Sequence, residues 1–182
     1  SKELLEDLTG KAVNGYRAAS YSITRESLWA LDILHELGFT YDSSIFPVHH
    51  DRYGIPDSPT EPYVIETPSG GSLIEFPLST ASFASYRLPI AGGGYFRLFP
   101  YWFFRWCLRR INRANKPFIF YLHPWEIDPD QPRIEASLLS KFRHYNNLDV
   151  CEARLRRLVT EFRFQTVSST LEELGFSTSA AT

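Results

Sequence analysis

The chain has 182 residues, of which 43% are hydrophobic and 15% aromatic, and its formal net charge at pH 7 is -2. A chain of this size and composition can bury a substantial apolar core. The net charge provides no basic field for a nucleic-acid backbone, and no apolar run approaches the roughly 18 to 20 residues that span a bilayer. We therefore expect neither nucleic-acid binding nor membrane insertion.

The first ten residues predict a helix that ends at Gly10, since glycine readily adopts the left-handed conformation that follows a helix. They contain no apolar signal segment, and the chain contains no methionine. We expect this opening to lie within a longer protein.

The pattern that follows is a strand, a helix and a second strand. The strands are predicted over residues 12–17 and 39–42. Between them, Thr24 is a suitable N-cap for a helix whose leucines recur every three residues until Gly38. The length of this crossover suits a parallel pair of strands.

The middle of the chain alternates irregular and regular segments. Residues 45–62 contain four prolines and predict a long loop, and such loops are usually functional or disordered. Residues 64–76 predict a β-hairpin around a turn at 68–71. A glycine-rich loop over residues 89–97 precedes an amphipathic helix over residues 100–112.

The C-terminal part is organised around the aromatic run Phe118 to Tyr121. This run predicts a strand buried on both faces, which ends as the chain reaches His123 and Pro124. The other elements predicted here are helices over residues 134–145, 149–162 and 169–175 and a last strand over residues 164–167.

The alternation of strands and helices predicts the fold class. We expect an α/β fold with a mainly parallel sheet, either open or rolled into an incomplete barrel, and a small β-hairpin insertion. A single domain is predicted over residues 1–176, with residues 177–182 as a tail.

Three chemical groups fall at the C-terminal ends of predicted parallel strands. They are Arg17, Asp42 and His123, and such strand ends share one edge of a sheet. A carboxylate beside an imidazole fixes its tautomer and favours its protonated form, which suits a general acid, while an arginine can hold another carboxylate. The alternative is a structural ion pair at the sheet edge.

Other kinds of site have weaker signals. The glycines at 92–94 lack the spacing of a nucleotide-binding loop, and no G-x-S-x-G segment predicts a serine hydrolase. The two cysteines, Cys107 and Cys151, have no C-x-x-C spacing and are predicted to fill the core.

The histidines outside the aromatic run do not predict a metal site. His49, His50 and Asp51 are adjacent and lack the spacing of zinc motifs, so we expect them in a solvated loop. His35 and His144 lie in predicted helical segments. We expect no metal ligands among these residues.

Taken together, several segments resemble the polysaccharide deacetylases with a NodB-homology domain, in the branch associated with bacterial exopolysaccharide loci and exosortase systems. The resemblance rests on residues 15–20, the helix ending at Gly38, and residues 41–47, 92–97 and 121–126. It extends from the opening helix to the closing helix and so covers nearly the whole chain.

The resemblance implies a distorted (β/α) barrel and the metal-dependent removal of N-acetyl groups from a polysaccharide. His123 matches the histidine that protonates the leaving amine, and Arg17 the arginine that holds a base aspartate. Asp42 matches the aspartate that orients the acid histidine. Trp125 and Tyr95 are candidates for sugar contacts, because aromatic faces stack on pyranose rings, although plain packing is an equal alternative.

The sequence also departs from that family. It has no T-F-D-D type segment and no H-x-x-x-H or H-x-x-x-x-H pair before Arg17, so it resembles the C-terminal two thirds of the domain without the metal half. Ala19 and Tyr121 replace a usual proline and a usual leucine.

We therefore expect a divalent metal, zinc or similar, in the whole protein, and expect this chain alone to bind none and to be inactive. The alternative function is a non-catalytic glycan-binding or assembly module of a polysaccharide export system. Because an incomplete barrel leaves unpaired strand edges, homo-oligomers through those edges are also predicted.

Overall fold

Two compact groups of elements make up the fold. The computed structural model describes residues 1–50, 53–84 and 86–178. One unit comprises Ser1–Leu78 and Gln165–Thr182, and the other comprises Ser79–Phe164. Compact units of this size can belong to one domain, so the single domain over residues 1–176 stays a prediction. Residues 179–182 of the predicted tail lie outside the described residues.

The first unit contains a four-stranded sheet. Its strands are β1 (Gly15–Tyr16), β2 (Tyr41–Asp42), β3 (Tyr63–Glu66) and β4 (Ser72–Glu75). They lie in the order β1-β2-β4-β3, with β1–β2 and β2–β4 parallel and β3–β4 antiparallel. A mixed α/β fold with a mainly parallel sheet is thus confirmed, and the described strands form no barrel.

The predicted hairpin is confirmed as the pair β3–β4. Its register runs from Tyr63 opposite Glu75 to Glu66 opposite Ser72. Gly70 in the turn has a φ of 91°, in the left-handed region that favours glycine.

Within the described residues the α-helices are α1 (Lys2–Thr9), α2 (Trp29–Glu36), α3 (Gly93–Leu98), α4 (Tyr101–Arg113), α5 (Leu138–Tyr145), α6 (Leu148–Glu161) and α7 (Val167–Glu173). α2 begins later than predicted, because a 3-10 turn at Arg25–Ser27 follows Thr24. No described helix is long and apolar enough to cross a membrane.

The predicted strand at residues 164–167 is wrong, and the last helix, predicted to begin at residue 169, begins at Val167. Thr166 is the N-cap of α7, since its hydroxyl oxygen accepts a hydrogen bond from the Ser169 backbone N–H at 3.1 Å. The threonine therefore starts a helix where its β-propensity favoured a strand.

The second unit contains a hairpin that the sequence analysis did not predict. It consists of β5 (Thr80–Phe83) and β6 (Tyr86–Pro89), which are antiparallel. The loop predicted over residues 89–97 is also corrected in part, because α3 begins at Gly93. α4 is confirmed close to its predicted bounds.

The run Phe118 to Tyr121 is not a ladder strand. One isolated parallel bridge joins Tyr121 to Gly92, and the Tyr121 N–H donates to the Ala91 carbonyl at 2.9 Å. The Ile119 N–H donates instead to the Ser79 hydroxyl at 2.7 Å. The Ser79 side chain therefore accepts the backbone hydrogen bond that a neighbouring strand would otherwise accept. The segment stays extended up to His123.

The core of the second unit includes both cysteines. They are fully buried with the apolar face of α4 and with α6, as the core-filler prediction required. Burial raises the pKa of the Cys107 and Cys151 thiols to about 11. Both thiols are therefore protonated at neutral pH and act as small apolar side chains.

Candidate active site

Arg17 and Asp42 lie at the same edge of the sheet in the first unit. β1 and β2 are parallel, with Tyr16 opposite Asp42, and Arg17 follows β1 directly. The Arg17 guanidinium donates two hydrogen bonds to Ser43, one to its carbonyl and one to its hydroxyl, both at 2.8 Å. The arginine side chain is thus fixed to the residue after Asp42, as expected for adjacent parallel strand ends.

The carboxylate of Asp42 is fully buried. It accepts hydrogen bonds from the Ser44 hydroxyl at 2.7 Å and from the Ser44 backbone N–H at 3.1 Å. The Glu75 carboxyl is its other partner, on the neighbouring strand β4 in direct register. Burial raises the pKa of Asp42, against these hydrogen bonds.

Glu75 was not assigned to any site from the sequence. It is fully buried, and one of its oxygens accepts from the Ile45 N–H at 3.0 Å. Burial, and then the charge of Asp42, raise the pKa of Glu75 well above its usual value, which favours the protonated form of this carboxyl beside Asp42. A glutamate inside the apolar run Leu73–Phe76 was the available signal.

His123 belongs to the second unit, at the end of the extended aromatic run. Its ring is exposed, and its backbone N–H donates to the Glu126 carboxylate at 3.0 Å. Pro124 then starts a 3-10 turn, Pro124–Ile127. The backbone at His123 is therefore held while the imidazole remains accessible.

The imidazole of His123 lines a pocket of about 400 Å³ within the second unit. The pocket is formed by residues of α3, of the segment 121–126 and of α5. They are Gly94, Arg97, Tyr121, His123, Trp125, Glu126, Ser140, Arg143 and His144. The pocket is open to solvent, and its volume is sufficient for a sugar-sized ligand.

The inner wall of the pocket is a buried ion pair. Arg97 and Glu126 are each only 2% exposed, and the guanidinium contacts the carboxylate at 3.1 Å. Arg97 also donates to the carbonyls of Arg143, His144 and Asn146, between 2.8 and 3.3 Å. The two charges therefore cancel. The arginine also connects the turn Pro124–Ile127, which contains Glu126, to the C-terminal end of α5.

Two glycines allow this close packing. A side chain at Gly93 would overlap the Glu126 carboxylate, and one at Gly92 would overlap the Tyr121 ring. The glycine-rich segment thus serves the approach of Glu126 and Tyr121 to the start of α3.

Aromatic rings flank the pocket. The Trp125 indole is nearly parallel to the imidazoles of His144 and His123, with ring centroids 4.1 Å and 6.1 Å away. His144 also hydrogen-bonds Gln131 at 2.8 Å, which keeps it stacked on one face of the indole. Tyr95 does not line the pocket, and its ring stacks on Phe99.

A family of domains of unknown function, DUF3473, matches residues 43–172 of the chain. The chain belongs to the DUF3473 family. Comparisons with curated proteins and with solved structures return no match. The matched part of this DUF3473 domain contains every residue that lines the pocket, and it begins directly after Asp42.

The described part of the DUF3473 domain offers no group of three or more His, Cys, Asp or Glu side chains that could hold a metal ion. His50 stacks on Tyr53 with ring centroids 3.8 Å apart. Asp51, which follows His49 and His50 in the sequence, lies outside the described residues.

Several pocket residues of this DUF3473 domain were not assigned from the sequence. They are Arg97, Glu126, Arg143 and His144. For Arg97 and Glu126 the signal was present, since a charged residue inside an aromatic run often has a buried partner. Arg143 and His144 gave no such signal, because a basic helical stretch is usually a solvated face.

Proposed function

We propose that this DUF3473 domain is part of a metal-dependent polysaccharide deacetylase, and that the pocket of its second unit receives an N-acetylated sugar. The observation that carries the proposal is the exposed imidazole of His123 in a pocket of about 400 Å³, on a backbone held by Glu126. The sequence resemblance, which matches His123 to an acid histidine, supplies the reaction. The distorted barrel it implies would belong to the whole protein.

In this reaction, water adds to the acetyl carbon, and acetate leaves as the C–N bond breaks. The amine nitrogen needs a proton at that moment, and the His123 imidazole would donate it. General acid catalysis of this kind contributes roughly 10² to 10⁴-fold to rate. The Arg97–Glu126 pair would position the histidine through its backbone without adding net charge to the pocket.

The described residues do not fit a metal centre. We therefore assign the activating metal to ligands beyond these residues. For the first unit we propose, as the resemblance implies, that Arg17 holds a base aspartate that lies beyond the described residues. Its guanidinium is already fixed by Ser43, and the neighbouring Asp42 carboxylate is fixed by Ser44.

The test is acetate release from an N-acetylglucosamine oligosaccharide by the whole protein supplied with zinc or cobalt. His123→Gln should lower kcat by at least about a hundredfold and leave oligosaccharide binding nearly unchanged. The matched control is His35→Gln, on α2 of the first unit, which should leave both unchanged. Undiminished acetate release by His123→Gln would exclude the proposed role.

A non-catalytic glycan-binding or assembly module is the second candidate. It is favoured by the lack of a three-ligand metal group among the described residues, because such a module needs none. The two functions differ in one result. Oligosaccharide binding that Trp125→Ala weakens, without acetate release by the whole metal-supplied protein, would support the module and reject the deacetylase.

A further inference from the structure

The outward face of α4 carries two exposed tryptophans. Trp102 and Trp106 are 70% and 41% exposed, and they continue into Arg109 and Arg113 at spacings of four, three and four residues. Such spacings place all four side chains on one side of a helix. The opposite side of α4 is buried in the core through Tyr101, Phe104, Cys107 and Leu108. Two large indoles therefore occupy positions that polar side chains usually take.

The indoles rest on other aromatic rings. Trp106 stacks with Phe83 of β5 and with Phe103, at centroid distances of 5.7 and 6.0 Å. Trp102 meets Phe103 at 5.8 Å. Because packed rings lose little further freedom on binding, this surface is preorganised for a partner. We call Trp102, Trp106, Arg109 and Arg113 the outer face of α4.

The charge of α4 is entirely positive. The helix contains four arginines and no acidic residue. Arg105 pairs with Glu161, and Arg110 lies over the rings of Phe83 and Trp106. Arg109 and Arg113 are exposed, and neither side chain makes a hydrogen bond or ion pair with any residue of the described ranges. Two guanidinium groups thus remain available beside two indoles.

We propose that the outer face of α4 docks on the surface of an anionic lipid bilayer. Indoles prefer the headgroup region of a bilayer, and guanidinium groups pair with lipid phosphates. A helix of 13 residues is about 20 Å long, so α4 would lie along the surface and not cross it. A neutral glycan would also stack on tryptophan, but it offers no anion to the arginines that complete the face. This inference does not depend on the proposed deacetylase activity.

The test is flotation of the full chain with vesicles of phosphatidylcholine containing phosphatidylglycerol, compared with vesicles of phosphatidylcholine alone. We expect binding to the anionic vesicles that falls as salt is raised. Arg109→Gln and Arg113→Gln should each weaken it roughly fivefold, and Trp102→Ser/Trp106→Ser should abolish it. Brominated phosphatidylglycerol should quench tryptophan fluorescence in the original chain, a readout that needs no variant.

Matched controls are Trp29→Ser, whose side chain is 58% exposed on α2 of the first unit, and Arg163→Gln, which is exposed after α6. Neither should alter flotation. The proposal is overturned if anionic vesicles do not bind, if neutral vesicles bind equally, or if the controls act as strongly as the α4 variants. Loss of oligosaccharide binding in the tryptophan double variant, with flotation intact, would assign the face to a glycan.

Discussion

The guanidinium of Arg97 and the carboxylate of Glu126 form an ion pair in which each side chain is only 2% exposed. Removing one partner from such a pair leaves an uncompensated buried charge, which typically costs about 3 to 5 kcal/mol. We therefore predict that Glu126→Gln lowers the unfolding free energy by about that amount. Urea unfolding followed by circular dichroism would measure it.

A double variant distinguishes the loss of the ion-pair attraction from the cost of leaving one buried charge without its partner. Arg97→Met/Glu126→Leu removes both charges, so it should lose less stability than the sum of its two single variants. The surface pair of Arg156 with Glu152 serves as control, and Arg156→Gln should leave the unfolding free energy almost unchanged. Equal effects of Glu126→Gln and Arg156→Gln would contradict the prediction.

Gly93 and its neighbour Gly94 form a matched pair in the first turn of α3. A side chain at Gly93 would overlap the Glu126 carboxylate, whereas nothing lies within 4 Å of a side chain at Gly94. We predict that Gly93→Ala costs about 1 to 3 kcal/mol, as overpacking usually does. Gly94→Ala should be neutral or stabilising by up to about 1 kcal/mol, because alanine favours the helix. Thermal melting of both variants decides this, and the reverse order would contradict it.

Short-range sequence patterns correctly predicted the elements that depend only on neighbouring residues. The hairpin β3–β4 follows from alternation around a glycine turn, and α4 follows from a strong helical period. The run Phe118 to Tyr121 has the composition of a buried strand, yet its ladder is replaced by the Ser79 side chain. That contact joins residues forty positions apart, and no window of sequence contains it.

The pocket was predictable only in part. His123 and Trp125 lie in one short stretch, and both line the cavity. Arg97 reaches Glu126 across 29 positions, and Arg143 comes from a helix that reads as a solvated face. Which distant charges meet depends on packing, so the sequence indicated each of these residues but not their partners.

The two core cysteines provide a simple solution test. Burial raises the pKa of the Cys107 and Cys151 thiols to about 11, so neither thiolate nor access is available in the folded chain. We predict that Ellman's reagent modifies both only as fast as the chain unfolds. The rate should therefore rise with urea and stay flat with reagent concentration. Rapid labelling in buffer alone would show that the core opens locally.

The raised pKa of the buried Glu75 carboxyl predicts an unusual pH dependence of stability. The folded pKa of Glu75 is raised well above its usual 4.5, so the folded state binds more protons than the unfolded state above that pH. The unfolding free energy should therefore fall as pH rises from about 4.5 until the folded pKa is reached. Each extra proton that the folded state binds adds at most about 1.4 kcal/mol per pH unit to this slope.

Glu75→Gln isolates this effect. The amide stays neutral, its NH₂ group can donate to Asp42, and its oxygen can still accept from the Ile45 N–H. We predict that this variant is more stable than the original chain at pH 7 and that its stability varies less between pH 4.5 and 7. Glu66→Gln, at the exposed end of β3, is the control and should keep the original pH profile. Urea unfolding at half-unit pH steps tests both, and an unchanged slope in Glu75→Gln would mean that the buried pair does not hold the proton.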